Sequence, residues 1–213
     1  MATPVFGQLG KKKICIICEG FEEKEYLERL KSFGAWHKRY YEVELVNAKS
    51  ISNIGPRYSS IYMNDNYDVV LVFCDTDTAP YDGYNSMKKK IDMVHGIDGV
   101  ASEVVFFANP CVLQIVLLHF ADIRLTSNQK NRNNKYVEDL VGIRHYQAHE
   151  IQRAEFMEKI TKQNFKEMLE RAEKLSDQDM IKNSTNFLKL IGYLNSKSTK
   201  WIDKINKAFE GEI

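Results

Sequence analysis

Apolar and polar positions fall in blocks along this chain, and the blocks differ in period. The first is Ile14-Cys15-Ile16-Ile17-Cys18, an unbroken apolar run. Such a run predicts a strand covered on both faces, as in a parallel sheet. Glu19-Gly20 ends it, and Tyr26, Leu27, Leu30 and Phe33 then recur on one helical stripe. Val69 to Cys74 is a second continuous run, and it also ends in acid, at Asp75 and Asp77. Between them Tyr41-Glu-Val-Glu-Leu-Val46 alternates, which predicts a strand nearer an edge. Glu103 to Phe107 reads as a fourth strand.

The intervening stretches are read the same way. Lys49 to Tyr67 is rich in Ser, Asn, Tyr and Gly and contains Pro56, so it is expected to be a long loop with one helical turn. Arg57 and Tyr58 are substrate-contact candidates there, although a packed tyrosine is the commoner fate. Thr78 to Gly83 carries turn signals, and a helix from Tyr84 to His95 turns Met87, Ile91 and Val94 inward. Asn109-Pro110 is expected to open a helix whose buried stripe is Leu113, Val116, Leu117 and Phe120. Residues 1 to 11 read as a loose lead-in. Ser127 to Lys135 has no hydrophobic period and is expected to be a mobile surface loop. From Ala148 onward three helical stripes follow: Phe165, Met168, Leu169 and Ala172; Phe187, Leu190, Ile191 and Leu194; Trp201, Ile205, Ala208 and Phe209. The pattern predicts an α/β core over residues 1–125, built on a mainly parallel four-stranded sheet flanked by helices. An α-helical appendage over 126–213 packs on it or offers a homodimer surface.

The candidate chemistry lies where the two apolar strands end. Open α/β sheets put their sites at the carboxyl ends of the strands. Glu19 stands at one such end, with Glu23 about one helical turn on. Asp75 and Asp77 stand at the other, two apart, so in an extended chain they point the same way. Four converging carboxylates repel each other unless a cation sits among them. All-oxygen donors favour a hard ion, Mg²⁺ or Mn²⁺.

Composition narrows the alternatives. With 213 residues, 44% hydrophobic and 11% aromatic, the chain can bury a substantial core. No apolar run is long enough to span a bilayer, so a cytoplasmic protein with no membrane partner is expected. Cys15, Cys18, Cys74 and Cys111 lie in or beside apolar runs and read as buried thiols rather than a zinc or redox pair. The net charge is +1, so nucleic-acid binding must rest on local patches. These are Lys11 to Lys13, then Lys88, Lys89 and Lys90, and then Lys130, Arg132 and Lys135. His145 and His149 have metal-ligand spacing without an evident third ligand. His119 reads either as a core histidine or, with Asn109, as a phosphate contact. A glycine-rich nucleotide loop is absent, which argues against an ATPase within this chain.

Cys18-Glu19-Gly20-x-x-Glu23-Lys24-x-Tyr26, followed by Asp75-x-Asp77, resembles the topoisomerase–primase (Toprim) domain. The variant is that of overcoming-lysogenization-defect nucleases and RloB-like proteins. Ala108-Asn109-Pro110-Cys111 through His119-Phe120 is similar to the RloB-like Asn-Pro to His-Phe segment, and the likeness covers roughly residues 12 to 125. It implies a Rossmann-like Toprim core and a nuclease holding Mg²⁺ or Mn²⁺ through Glu19, Glu23, Asp75 and Asp77. Catalytic roles fall to Glu19, Asp75, Asp77 and Lys24, with Glu19 as an alternative general acid or base. Nucleic acid would be met by Lys88, Lys89, Asn109, His119, Lys130 and Arg132. It further implies phage defence and an ATPase partner encoded nearby. The chain departs from the family in two places. Phe21-Glu22 replaces the frequent Pro-Thr, and Val112-Leu113-Gln114-Ile115 replaces Phe-Glu-x-Trp. Leu113 in place of a family glutamate favours the alternative of a non-catalytic interaction module.

Overall fold

The computed structural model describes residues 10–64, 66–77, 79–127 and 130–211. Residues 1–9, Thr78, Asn128, Gln129 and the Lys130 side chain, on which some of the expectations above fall, lie outside the described residues.

Four strands, β1 (Lys12–Cys18), β2 (Tyr41–Asn47), β3 (Val69–Asp75) and β4 (Val105–Ala108), form one sheet in the order β2-β1-β3-β4. Every pairing is parallel, with Cys18 opposite both Asn47 and Phe73, and Asp75 opposite Ala108. The two continuous apolar runs are the central strands, and every residue of β3 is buried. β2, the alternating one, is an edge. The other edge, β4, is covered by the segment before Phe187. Thr185 bridges to Ala108, Asn109 N–H donates to Ser184 O, and the Asn186 side chain bonds the backbone of Val105 and Phe107. A covered edge cannot recruit a foreign strand.

Helix α1 (Phe21–Ser32) joins β1 to β2, and α2 (Ile51–Met63) returns from β2 to β3. Right-handed crossovers in opposite directions put these helices on opposite faces of the sheet. Then come α3 (Asp82–His95), the short α4 (Ala101–Val104), α5 (Leu113–Val116) with a 3₁₀ turn at Leu117–His119, and α6 (Lys130–Val141). The remaining helices are α7 (Glu150–Glu158), α8 (Lys162–Ala172), α9 (Phe187–Asn195) and α10 (Lys200–Phe209). The α1 face carries α7, α8 and α9. Tyr26 packs on Phe187, Phe33 on Phe165, and Arg29 donates to the Ile160 and Glu158 carbonyls. On the other face α2 lies against α3, and α10 joins them through the His95–Phe209 stack.

Four expectations are corrected. Residues 49–67 are not a long loop, since α2 fills most of them. Ile54 and Tyr58 are buried, Ile51, Ile61 and Tyr62 pack around them, and Pro56 sits inside the helix. The Ser and Asn content hid a stripe at helical spacing. Residues 130–135 belong to a helix as well. Its inward line is Asn133, Val137 and Val141, four apart, and buried Asn133 masks the period by donating to Ser127 O. Pro110 does not open the next helix. The first helical residue is Leu113, and nearly everything from Ala108 to His119 is buried rather than one stripe of it. Residues 173–186 interrupt the helical tail.

Candidate active site at the carboxyl rim of the sheet

Because β1 and β3 are adjacent and parallel, Glu19 and Asp75 emerge side by side. Glu19 N–H donates to Phe73 O at 3.1 Å, which continues the strand pairing by one residue. Asp75 N–H in turn donates to Glu19 Oε2 at 3.0 Å. Asp75 Oδ1 accepts from Val112 N–H at 2.7 Å. The buried segment after β4 thus fixes one aspartate oxygen. Glu23 Oε2 accepts from Gly20 N–H at 2.8 Å and caps α1. Glu22, also buried, accepts from the Tyr146 hydroxyl at 3.2 Å.

Glu19, Glu22, Glu23 and Asp75 line a single cavity of about 230 Å³, together with the cationic residues Lys49 and Arg153 and the ring of Phe21. Arg153 is held by Glu25, with Nε and Nη2 donating to its two oxygens at 2.9 and 3.0 Å. Carboxylates outnumber cations on this wall, so a phosphate group enters favourably only with a cation. The combined charge is felt by Cys74. Burial first, and then Glu19, Asp75, Glu23 and Asp77, push its thiol well above its ordinary range. That reading makes Cys74 an inert buried thiol, and all four cysteines are free and buried.

Asp77 departs from the expected geometry. The argument for two aspartates pointing alike needs an extended chain, and β3 ends at Asp75. Asp77 has φ 57°, is exposed, and donates its N–H to Pro110 O at 3.1 Å. It is not part of the cavity wall. Lys24 is not either, and it pairs with Glu28 at 3.5 Å. Lys88 is bound to Asp179 at 2.8 Å and lies over the Tyr84 ring, while Lys89 is exposed on α3. Arg132 is exposed on α6. Asn109 is buried at the end of β4, its Nδ2 reaching the Tyr81 hydroxyl at 3.5 Å.

His119 is a core histidine. It is 1% exposed, with Nε2 3.0 Å from the Tyr26 hydroxyl and Nδ1 3.0 Å from Asn164 Oδ1. Asn164 Oδ1 can only accept, so Nδ1 carries the hydrogen and Nε2 accepts from Tyr26. A phosphate cannot reach either nitrogen without unpacking the core. His145 and His149 are both exposed.

Among the described residues no group of three or more His, Cys, Asp or Glu side chains is arranged to hold a metal ion. The fit is therefore one of donor type and place, not of a preformed cage. Mg²⁺ commonly uses only one or two carboxylates and completes its shell with water and substrate phosphate. Glu19 and Asp75 supply that number. Among the described residues, two buried polar atoms at the same rim have no hydrogen-bond partner: Asn47 Nδ2 at the end of β2 and Thr76 Oγ1 just after β3. Unpaired buried polar atoms are costly and call for an explanation.

Sequence reasoning missed Lys49, Arg153, Phe21 and Tyr146. Lys49 was reachable, because the rule that sites sit at strand carboxyl ends applies to β2 as well. Arg153 had no local signal, since it lies 128 residues from Glu25. The chain matches no family model, no curated protein and no solved structure, so the Toprim likeness rests on the motif residues themselves.

Proposed function

We propose that the rim cavity cleaves phosphodiester bonds of DNA or RNA with the aid of Mg²⁺ or Mn²⁺, in the manner of a Toprim nuclease. One observation carries this reading: neighbouring parallel strands deliver Glu19 and Asp75, linked by a 3.0 Å hydrogen bond, into one acid-lined cavity. Glu19 and Asp75 would hold the cation, which supplies Lewis acidity toward a phosphoryl oxygen when bound. Glu19 is also the group to take a proton from the attacking water. Lys49 and Arg153 offset negative charge on the phosphate. Glu23 keeps the α1 terminus, and with it the Glu19-Gly20 turn, in place. In keeping with the RloB-like likeness, the cleavage serves phage defence in the cytoplasm, alongside a separately encoded ATPase. Among the described residues no helix is long and apolar enough to cross a membrane.

The test uses Glu19→Gln and Asp75→Asn. Each amide keeps an acceptor oxygen for the backbone N–H it now receives, so the fold is retained. Wild type is expected to cut labelled oligonucleotides in Mg²⁺ or Mn²⁺ and to stop with chelator. Each variant is expected to lose about 100-fold or more, the scale of removing one electrostatic partner of the reacting group. Undiminished cutting by both variants would sink the assignment. The rival reading, a non-catalytic interaction module, is favoured by Leu113, which stands where the resembling proteins carry a glutamate. It predicts no cleavage and no heat on Mn²⁺ titration even with oligonucleotide present.

A further inference from the structure

We propose that Phe21 and Arg153 form a shelf on which an unpaired nucleobase stacks, so that the cavity takes single-stranded nucleic acid in preference to duplex. This rests on the phosphodiester reading above and adds the form of the substrate.

Phe21 is the first residue of α1, two residues after Glu19, and lines the same cavity as Glu19 and Asp75. It is 57% exposed. Among the described residues no other Phe, Tyr or Trp side chain is exposed. The other described rings are buried or half-buried, and this one stands in water at the mouth of the acidic cavity. A large ring left there forgoes the stabilisation that burial would bring.

The ring is backed by Arg153. The guanidinium carbon lies 5.2 Å from the Phe21 ring centroid, over its face. The guanidinium is itself immobilised by Glu25 on two nitrogens and by Ala148 O on the third, at 2.6 Å. One face of the ring is therefore covered by a fixed cation, and the exposure belongs to the rest of it. A flat ring with a planar cation behind it is the kind of surface on which bases stack, independent of sequence. Bases within a duplex already have both faces occupied, so only an unpaired or splayed base can use it. Lys49 on the same wall supplies positive charge for the adjoining phosphate.

The test is binding of a single-stranded oligonucleotide carrying 2-aminopurine, with Ca²⁺ in place of Mg²⁺, to the full chain. DNA and RNA versions and a matching duplex are run in parallel. Wild type is expected to bind the single strand and quench the fluorophore. Phe21→Ala and Phe21→Leu are expected to weaken single-strand affinity by about 5- to 150-fold, the equivalent of roughly 1–3 kcal/mol per stacked base. Both also lose the quench. Phe21→Trp restores affinity and quench, and duplex binding stays alike in all four proteins. The leucine variant keeps an apolar side chain, so a purely structural role for Phe21 would leave it close to the tryptophan variant. Equal behaviour of Leu and Trp, an unquenched wild-type complex, or no single-strand binding at all would each overturn the shelf. Quenched binding without cleavage in Mg²⁺ keeps the shelf and removes the nuclease reading. Duplex cleavage indifferent to Phe21→Leu does the reverse.

Discussion

Acid is expected to destabilise this protein through His119. The imidazole is buried against Tyr26, Phe120 and Phe165, and it is neutral, with Nδ1–H donating to Asn164 and Nε2 accepting from Tyr26. Burial disfavours the charged form and lowers its pKa from 6.5 to about 4; the Asn164 bond opposes this and Arg171 adds to it. The unfolded chain then binds the proton more readily between those two values. Stability is fully present above about pH 6.5 and is lost as pH falls toward 4. The loss is about 1.4 kcal/mol at pH 5.5 and about 3 kcal/mol once pH passes the folded value, at 1.36 kcal/mol per unit. His95, also lowered by burial, adds a loss of the same sign. The assay is urea denaturation of wild type and His119→Gln from pH 7.5 to pH 4.5. The variant is expected to be weaker at pH 7 but to follow a shallower pH dependence, and the difference between the two curves isolates His119. Parallel curves, or an NMR titration placing the imidazole near 6.5, would refute the buried neutral assignment.

Other substitutions probe the scaffold under the site. Gly55 lies where α2 crosses α3, and a Cβ there would come within 2.8 Å of Lys90 Cβ. That atom is tied to the α3 backbone, so Gly55→Ala is expected to cost about 1–3 kcal/mol of overpacking despite alanine's better helix propensity. Gly192 in α9 has nothing within 4 Å of an added Cβ, so Gly192→Ala is expected to raise stability by up to ~1 kcal/mol. Opposite shifts in melting temperature for these two glycines check both. Thr161 caps α8 by accepting from Asn164 N–H, so Thr161→Ala is expected to cost about 1 kcal/mol with an unchanged urea m-value.

The strands and the acidic ends of β1 and β3 were legible because they depend on local order. A continuous apolar run must be buried on both faces, and a polar break marks where it leaves the sheet. Adjacency of β1 and β3 turned those two ends into one cavity. Helix α2 and the start of α6 were obscured because Ser, Asn and Pro occupy positions within them, and composition was read in place of spacing. The left-handed conformation of Asp77 was not legible, because it follows from where the chain must turn toward Pro110.

The sequence by itself determined the parallel sheet, most helices of the tail and three of the carboxylates that meet at the rim, Glu19, Glu23 and Asp75, since periodicity and chain order are local properties. Only tertiary structure decided that Asp77 stands apart, that His119 is sealed in the core, and that Arg153 arrives from 128 residues away to back Phe21. Long-range partners are chosen by which surfaces remain to be buried once the local elements exist, and no window of sequence contains that choice.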